Sequence, residues 1–217
     1  MTDEYRIPTA DADAEFTEKR SRFLGHIFVT ETEEEALLCL REMRETYWDA
    51  SHNVYAYRIR GGATRYSDDG EPGGTAGMPV LDVLQREGIY NVCCVVTRYF
   101  GGTLLGTGGL VRAYGRAAKL ALEAAGISRM RVWERVDIPC PYPLYEPIRR
   151  ELERCGGMLT GTAFGSAVTV SAMFPAEKTE AFLSRLTDLS AGKVEAVRMG
   201  TEYRAFPEVP ARRDETE

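Results

Sequence analysis

Two stretches of this chain combine clustered glycines with a helix pattern that begins directly after them. The first loop runs from Asp68 to Gly77 (DDGEPGGTAG), and the second loop runs from Gly101 to Gly109 (GGTLLGTGG). Glycine lets another molecule approach the backbone closely, and the free N–H groups and positive dipole end of a helix favour an anion. Phosphate, free or in a nucleic-acid backbone, is therefore the ligand that both loops predict.

Basic residues accompany the second loop. No Asp or Glu lies between Glu87 and Glu123, although the whole chain has a net charge of −6. The 3.6-residue period of a helix places the basic residues that follow the loop on one side. The predicted phosphate or nucleic-acid site consists of Arg98, Gly101, Gly102, Gly106, Thr107, Gly108, Gly109, Arg112, Arg116 and Lys119. The alternative is tight strand–helix packing with solvated basic side chains.

The first loop is acidic, so it would repel a phosphate unless a cation lay between them. Carboxylate oxygens suit Mg²⁺ or Ca²⁺, but such residues also form turns by accepting hydrogen bonds from their own backbone. The motif does not match an established metal loop, and we predict no metal. The residues of this second candidate site are His52, Asp68, Asp69, Glu71, Gly74 and Thr75.

Aromatic residues near the second loop offer surfaces on which bases stack, but we expect core packing for at least two of Tyr99, Phe100 and Tyr114. Catalytic chemistry has little support in the sequence. Spacing connects neither His26 nor His52 to a cysteine, and no Walker-type lysine follows the second loop. We therefore predict no catalytic residue and no cofactor.

Composition limits the class of protein. The chain has 217 residues, of which 44% are hydrophobic and 28% charged, which is enough for one large or two small globular domains. No apolar run approaches the roughly 20 residues that cross a bilayer, and the N-terminus is acidic rather than signal-like. Five cysteines without a CxxC spacing indicate reduced thiols, and Cys93 and Cys94 should point to opposite faces of a strand. We expect a cytoplasmic protein without membrane contact.

Helices and strands alternate through the first part of the chain. Two strand patterns occupy residues 14–30, and one each occupies 53–60, 90–97 and 129–136. Helix patterns occupy 32–47, 79–88 and 109–125. Thr32 and Glu35 form a capping-box signature at the start of the first helix. For the last helix the predicted core stripe is Val111, Tyr114, Ala118, Ala121 and Ala125.

The second part changes to a series of six elements. Strands are predicted at 135–140, 158–164, 167–174 and 194–203, with helices at 143–155 and 177–189. The order βαββαβ is the ferredoxin-like plan, so the fold class is α+β. The predicted domains are residues 1–132 and 133–207, followed by a polar, disordered tail at 208–217.

Long ordered motifs in the first 115 residues resemble the YigZ/IMPACT family, in its bacterial two-domain branch. They are Ser51–Tyr57 (SHNVYAY), Asp68–Leu81 (DDGEPGGTAGMPVL) and Val96–Tyr114 (VTRYFGGTLLGTGGLVRAY). The resemblance implies a first domain with the fold shared by a domain of ribosomal protein S five, domain IV of elongation factor G and the GHMP kinases. The second domain would resemble domain V of elongation factor G. Many relatives have a lysine in the second loop, where this chain has Leu104 and Leu105.

The resemblance also bears on function. Eukaryotic members of the family regulate translation by competing for an activator of a starvation-sensing kinase, and they carry an N-terminal RWD domain that has no counterpart in this sequence. We therefore expect a non-catalytic protein that binds RNA or the ribosome and takes part in translation or its regulation. Two alternatives stay open: an enzyme or binder that acts on a nucleotide or phosphorylated small molecule through the glycine loops, and a protein-partner regulator without nucleic acid. The oligomeric state is not predicted.

Overall fold

The computed structural model describes residues 4–207. These divide into two compact units. The N-terminal unit comprises Tyr5–Arg129 and residues 206–207, and the C-terminal unit comprises Met130–Ala205 and Glu4. Each unit has a hydrophobic core of its own. The predicted tail at 208–217 lies outside the described residues.

The N-terminal unit contains a five-stranded antiparallel sheet in the order β2-β3-β6-β4-β5. The strands of the unit are β1 (Tyr5–Pro8), β2 (Ala12–Glu18), β3 (Ser21–Val29), β4 (His52–Arg58), β5 (Thr64–Ser67) and β6 (Val92–Tyr99). Its helices are α1 (Glu33–Thr46), α2 (Gly77–Arg86) and α3 (Thr107–Ala125). The sequence pattern missed β5, because its four residues are polar and largely exposed and so carry no alternation.

Helices cover both faces of this sheet. The main core lies between one face and helices α2 and α3, and a smaller core lies under α1 on the other face. Cys94 belongs to the first core and Cys93 to the second, which confirms that the two adjacent thiols point to opposite faces. All five cysteines are free thiols. Burial raises the pKa of Cys94 to about 12, so this thiol stays protonated at neutral pH.

Local sequence signals account for the helices. At the start of α1 the Thr32 hydroxyl accepts from the Glu35 amide at 3.2 Å, and the Glu35 carboxylate accepts from the Thr32 amide at 3.3 Å, so the predicted capping box is confirmed. Helix α3 begins two residues earlier than expected. Its buried stripe contains four of the five predicted residues, but Val111 is 41% exposed and Leu110 is buried instead. The stripe is centred on Leu110, and Val111 lies one residue, about 100°, further round the helix.

The C-terminal unit confirms the predicted ferredoxin-like plan. Its elements are β7 (Ile127–Cys140, of which the unit includes Met130 onwards), α4 (Tyr142–Arg154), β8 (Met158–Phe164), β9 (Val168–Pro175), α5 (Ala176–Ser190) and β10 (Val197–Pro207, of which it includes residues up to Ala205). The strands are ordered β10-β7-β9-β8, and two helices join them in the βαββαβ sequence. The strand patterns predicted at 129–136 and 135–140 form the single strand β7. The predicted α+β class is confirmed. None of the helices in residues 4–207 is both long and apolar enough to span a membrane.

Candidate functional site

Both glycine loops lie at one end of the N-terminal sheet. The second loop follows the end of β6, and His52 at the start of β4 pairs in register with Arg98 near that end. The hairpin that joins β2 to β3 turns at the same end, where Arg22 pairs with Tyr99. The tertiary structure thus brings together segments that are up to 90 residues apart in sequence.

The N-terminus of α2, after the first loop, is occupied by the chain's own carboxylate. Asp68 Oδ1 accepts hydrogen bonds from the amides of Ala76 (3.0 Å) and Gly77 (2.8 Å), and Asp68 Oδ2 accepts from the Gly74 amide (2.8 Å). A carboxylate in this position takes up free N–H groups and complements the helix dipole. An external anion therefore has no access to these three amides.

The remaining first-loop residues are also engaged within the protein. Thr75 donates from its hydroxyl to the Pro72 carbonyl at 2.6 Å. Asp69 Oδ2 accepts from the backbone N–H of Asn53 at 2.6 Å, and the backbone carbonyl of Asp69 accepts from His52 Nδ1 at 2.7 Å. His52 Nε2, the other ring nitrogen, lies 3.8 Å from Glu71 Oε1.

Glu71 is the buried centre of this end of the unit. Its Oε1 accepts from Arg98 Nη1 at 2.5 Å and from the Tyr114 hydroxyl at 2.7 Å. The side chains of Glu71 and Arg98 are 4% and 5% exposed. Burial, followed by the hydrogen bond to Glu71, raises the pKa of Tyr114, so its hydroxyl remains a donor. The Glu71 carboxylate therefore compensates the positive charge of Arg98 inside the protein.

The carboxylates of the first loop thus serve as turn and cap acceptors. Among residues 4–207 no group of three or more His, Cys, Asp or Glu side chains is close enough to hold a metal ion. Asp68 caps the N-terminus of α2, Asp69 accepts a backbone hydrogen bond at the start of β4, and Glu71 forms an ion pair with Arg98. This is the turn-forming alternative that the sequence left open.

The N-terminus of α3, after the second loop, differs from that of α2. Its N-cap residue is Gly106, which has a φ of 72° and no side chain to cap the helix, and no acidic residue occurs in the first turn. The first intrahelical bond runs from the Leu110 amide to the Gly106 carbonyl. The amides of Thr107, Gly108 and Gly109 precede it, at the positions where an α-helix leaves N–H groups without intrahelical partners.

A pocket of about 250 Å³ opens beside this helix start. Its lining residues come from the β2–β3 hairpin, the second loop and α3, and they are Phe16, Glu18, Lys19, Leu105, Gly109, Arg112, Ala113 and Arg116. The Arg116 guanidinium lies 4.5 Å from the centroid of the Phe16 ring, which is a cation–π distance. The pocket therefore combines three cationic side chains and the Glu18 carboxylate with an apolar floor. The cations outnumber the carboxylate, so the lining suits an anion attached to an apolar or aromatic body.

The predicted residues of the second loop take different places in this arrangement. Gly109, Arg112 and Arg116 line the pocket, and Gly106, Thr107 and Gly108 lie directly before them. Lys119 is exposed on the next turn of α3 and is not part of the lining. Arg98 is buried against Glu71, away from solvent.

Gly101 and Gly102 fix the position of the second loop and do not line the pocket. A Cβ atom on Gly101 would lie 2.0 Å from the carbonyl carbon of Arg20, so only glycine fits against the β2–β3 turn. The Gly101 amide donates to Ser21 Oγ at 3.2 Å, and Gly102 has a φ of 80°. The second loop is thereby fixed to the hairpin that contributes Lys19.

Sequence reasoning missed the contribution of that hairpin. Glu18 pairs with Ser21, leaving a two-residue turn in which Lys19 (φ 45°) and Arg20 (φ 69°) both have positive φ. Positive φ at both central residues is the signature of a type I′ turn, which usually contains Asn-Gly. The only sequence signal was a short polar gap between two strand patterns.

The aromatic residues near the second loop do not pack as expected. Tyr114 is fully buried, but Phe100 is 48% exposed. Tyr99 is half-buried and donates from its hydroxyl to Asp49 Oδ1 at 2.8 Å. The expectation that at least two of the three belong to the core was therefore wrong.

Known protein families match both halves of this chain. Residues 19–122 match the model of the Impact N-terminal domain, and residues 138–193 match a domain of unknown function, DUF1949. The chain is 34% identical over 177 residues to the IMPACT family member YvyE of Bacillus subtilis, covering 81% of this chain and 82% of that protein. It is 34% identical over 194 residues to the IMPACT family member YigZ of Escherichia coli, covering 87% of this chain and 95% of that protein.

A solved structure is similar over nearly the whole chain. It is a crystal structure of a hypothetical protein with a TM-score of 0.58 and 32% identity, covering 92% of this chain and 98% of the other. Both halves of this chain therefore have counterparts in the same relatives.

Proposed function

This chain belongs to the IMPACT family, and from that premise we propose that it is a non-catalytic protein that binds RNA, on the ribosome or apart from it. The binding surface is the pocket beside α3 together with the amides that begin this helix. The family resemblance connects such binding with translation or its regulation in the cytoplasm.

The observation that carries the proposal is the contrast between the two helix starts that follow the glycine loops. At α2 the Asp68 carboxylate already fills the anion position. At α3 no side chain caps the helix, and the adjoining pocket holds Lys19, Arg112 and Arg116. Among residues 4–207 these three cations have no ion-pair partner within 4 Å. Their charge is available to an external phosphate.

Electrostatics sets the expected behaviour of this site. An acidic chain cannot bind RNA by its overall charge, so affinity must come from a local set of phosphate contacts. Three cations that neutralise three phosphates give a slope of log K against log salt of roughly −2 for a single strand. The site therefore predicts weak binding whose affinity falls by roughly sixteenfold for a fourfold rise in salt.

The test is binding of the full chain to ribosomal subunits and to total RNA across a salt series. The double variant Arg112→Glu/Arg116→Glu should lower affinity and flatten the salt dependence. The control is Arg41→Glu/Arg86→Glu, which makes the same change in charge on exposed parts of α1 and α2 outside the pocket. Unchanged RNA affinity in the Arg112/Arg116 variant would contradict the proposal, and so would an equal loss of affinity in this variant and the control.

The pocket supports a second candidate, a phosphorylated small molecule or nucleotide. A volume of about 250 Å³ with an apolar floor of Phe16, Leu105 and Ala113 has room for more than a bare phosphate. Such a ligand, at a hundredfold excess over its Kd, would raise the free energy of unfolding by about 2.7 kcal/mol. Thermal unfolding in the presence of nucleotides and phosphorylated metabolites separates the two candidates. A protein-only regulator would respond neither to RNA nor to these metabolites.

A further inference from the structure

Three large apolar side chains are exposed at the pocket end of the N-terminal unit. Trp48 is 81% exposed, Leu104 is 82% exposed and Phe100 is 48% exposed. Trp48 lies in the turn after α1, and the other two lie on or beside the second loop. Scattered exposed apolar residues are ordinary, but tryptophan is highly buried on average, so the high exposure of Trp48 requires a reason.

Hydrogen bonds tie the turn that carries Trp48 to the start of the second loop. The Tyr99 hydroxyl donates to Asp49 Oδ1 at 2.8 Å, and the Phe100 amide donates to Ser51 Oγ at 3.1 Å. The Ser51 amide donates in turn to the Arg98 carbonyl at 2.9 Å. The rings of Trp48 and Phe100 are therefore held on neighbouring, anchored segments of backbone.

Short stretches of chain connect Phe100 and Leu104 to residues of the cationic pocket. Gly101, next to Phe100, packs on the backbone of Arg20, and Lys19 of the same turn lines the pocket. Leu104 adjoins Leu105, another lining residue. On its other side the Phe100 ring lies 5.5 Å from the guanidinium of Arg98. Asp49 contributes a carboxylate to the surface, and Tyr99 already donates to it.

Single-stranded RNA has the matching chemistry, because its phosphates follow a cationic groove while its unpaired bases stack on aromatic rings. In a duplex the bases are stacked on one another and their faces are covered. We propose that Trp48 and Phe100 form a stacking platform that makes single-stranded RNA, rather than duplex RNA, the ligand of this site. This inference depends on the proposed function and specifies the class of RNA.

The experiment compares a 12-nucleotide fluorescein-labelled RNA with the same strand annealed to its complement, by anisotropy with the full chain. We expect the single strand to bind more tightly. Trp48→Ala and Phe100→Ala should each weaken single-strand binding by about fivefold to a hundredfold. Neither should change the slope of log K against log salt, whereas Lys19→Ala should reduce that slope by about one phosphate contact. Leu38→Ala, at an exposed apolar residue of α1, is the control and should change nothing.

A second measurement does not depend on truncation. The chain has two tryptophans, Trp48 and the buried Trp133. In the Trp133→Phe variant, Trp48 fluorescence should be quenched by the single strand and far less by the duplex. If that variant does not fold, the anisotropy measurements on the wild-type chain still test the preference for single-stranded RNA.

The outcomes separate the two proposals. Equal affinity for strand and duplex, or unchanged affinity in the Trp48→Ala and Phe100→Ala variants, overturns the stacking platform while RNA binding stands. Failure of both RNA forms to bind, even at low salt, overturns the proposed function and the platform together.

Discussion

Arg98 and Glu71, which lie 27 residues apart on different segments, form a buried ion pair with Nη1 and Oε1 separated by 2.5 Å. Glu71 belongs to the first loop, and Arg98 lies at the end of the strand that leads into the second. Tyr114 of α3 donates to the same carboxylate oxygen. One buried carboxylate thus joins both loops to the helix that lines the pocket.

Breaking this pair from one side should be costly. Arg98→Met leaves the buried Glu71 carboxylate uncompensated, and we expect it to lower the free energy of unfolding of the N-terminal unit by about 3–5 kcal/mol. The double variant Arg98→Met/Glu71→Gln should recover much of this loss, because no unpaired charge remains and the introduced amide still offers an acceptor to Tyr114. Urea denaturation measures the cycle, and simple additivity of the two single variants would contradict the coupling.

The cap that Asp68 provides should be measurable at α2. Asp68→Ala removes the acceptor for three amides and should lower the free energy of unfolding by about 2 kcal/mol. Asp68→Asn keeps one carbonyl oxygen and should cost less than the alanine change. Urea unfolding of the three proteins tests the order, and equal losses in both variants would argue against capping as the role of the carboxylate.

Two glycines offer a matched pair of alanine substitutions. Gly101→Ala places a Cβ 2.0 Å from the Arg20 carbonyl carbon, so backbone must move, and we expect a loss of about 1–3 kcal/mol. Gly115 lies inside α3 with open space around its missing Cβ, so Gly115→Ala should stabilise by about 0.5–1 kcal/mol. Thermal or urea unfolding shows whether each substitution raises or lowers the free energy of unfolding. A Gly101→Ala variant with unchanged stability would show that the contact with the hairpin is loose.

The Lys19–Arg20 turn should show a conflict between stability and binding. Both residues adopt positive φ, which costs L-residues other than glycine, and Asn-Gly is the favoured pair in a type I′ turn. Lys19→Asn/Arg20→Gly should therefore raise the free energy of unfolding by about 1 kcal/mol. The same change removes a pocket cation and should weaken RNA binding in anisotropy measurements. A variant that gains stability and keeps full affinity would exclude the hairpin from the site.

Stability should fall in alkaline solution because of Tyr57. Burial, together with the 2.5 Å hydrogen bond that its hydroxyl donates to Glu33, raises the pKa of Tyr57 to about 12. An unfolded tyrosine has a pKa of about 10, so the folded state holds this proton more tightly. The resulting stabilisation is complete below pH 10 and is lost as the pH rises towards 12.

The comparison with Tyr57→Phe isolates this effect. The stability advantage of the wild-type protein over the variant should shrink by about 1 kcal/mol between pH 9 and pH 11, as measured by urea unfolding. An advantage that stays constant over this interval would mean that Tyr57 titrates at the same pH in the folded and unfolded states.

The order of elements could be predicted from the sequence because it depends on local signals. The capping box of α1 involves residues three apart, the buried stripe of α3 repeats with the helical period, and the βαββαβ order follows from alternating patterns along the chain. Each signal acts through backbone dihedral angles and short-range hydrogen bonds, which neighbouring residues decide. Strand β5 escaped prediction because its exposed polar residues give no such signal.

The sequence by itself determined that glycine-rich segments precede two helices and that basic residues follow the second. Only the tertiary structure decided which helix start has amides without a side-chain acceptor. The Asp68 carboxylate accepts from α2 amides eight and nine residues further along the chain, and Glu71 binds Arg98 across 27 residues. The tertiary structure also placed Lys19 in one pocket with Arg112, although 93 residues separate them. Which charges are compensated and which face solvent depends on contacts between distant segments, and these form only when the sheet brings its strand ends together.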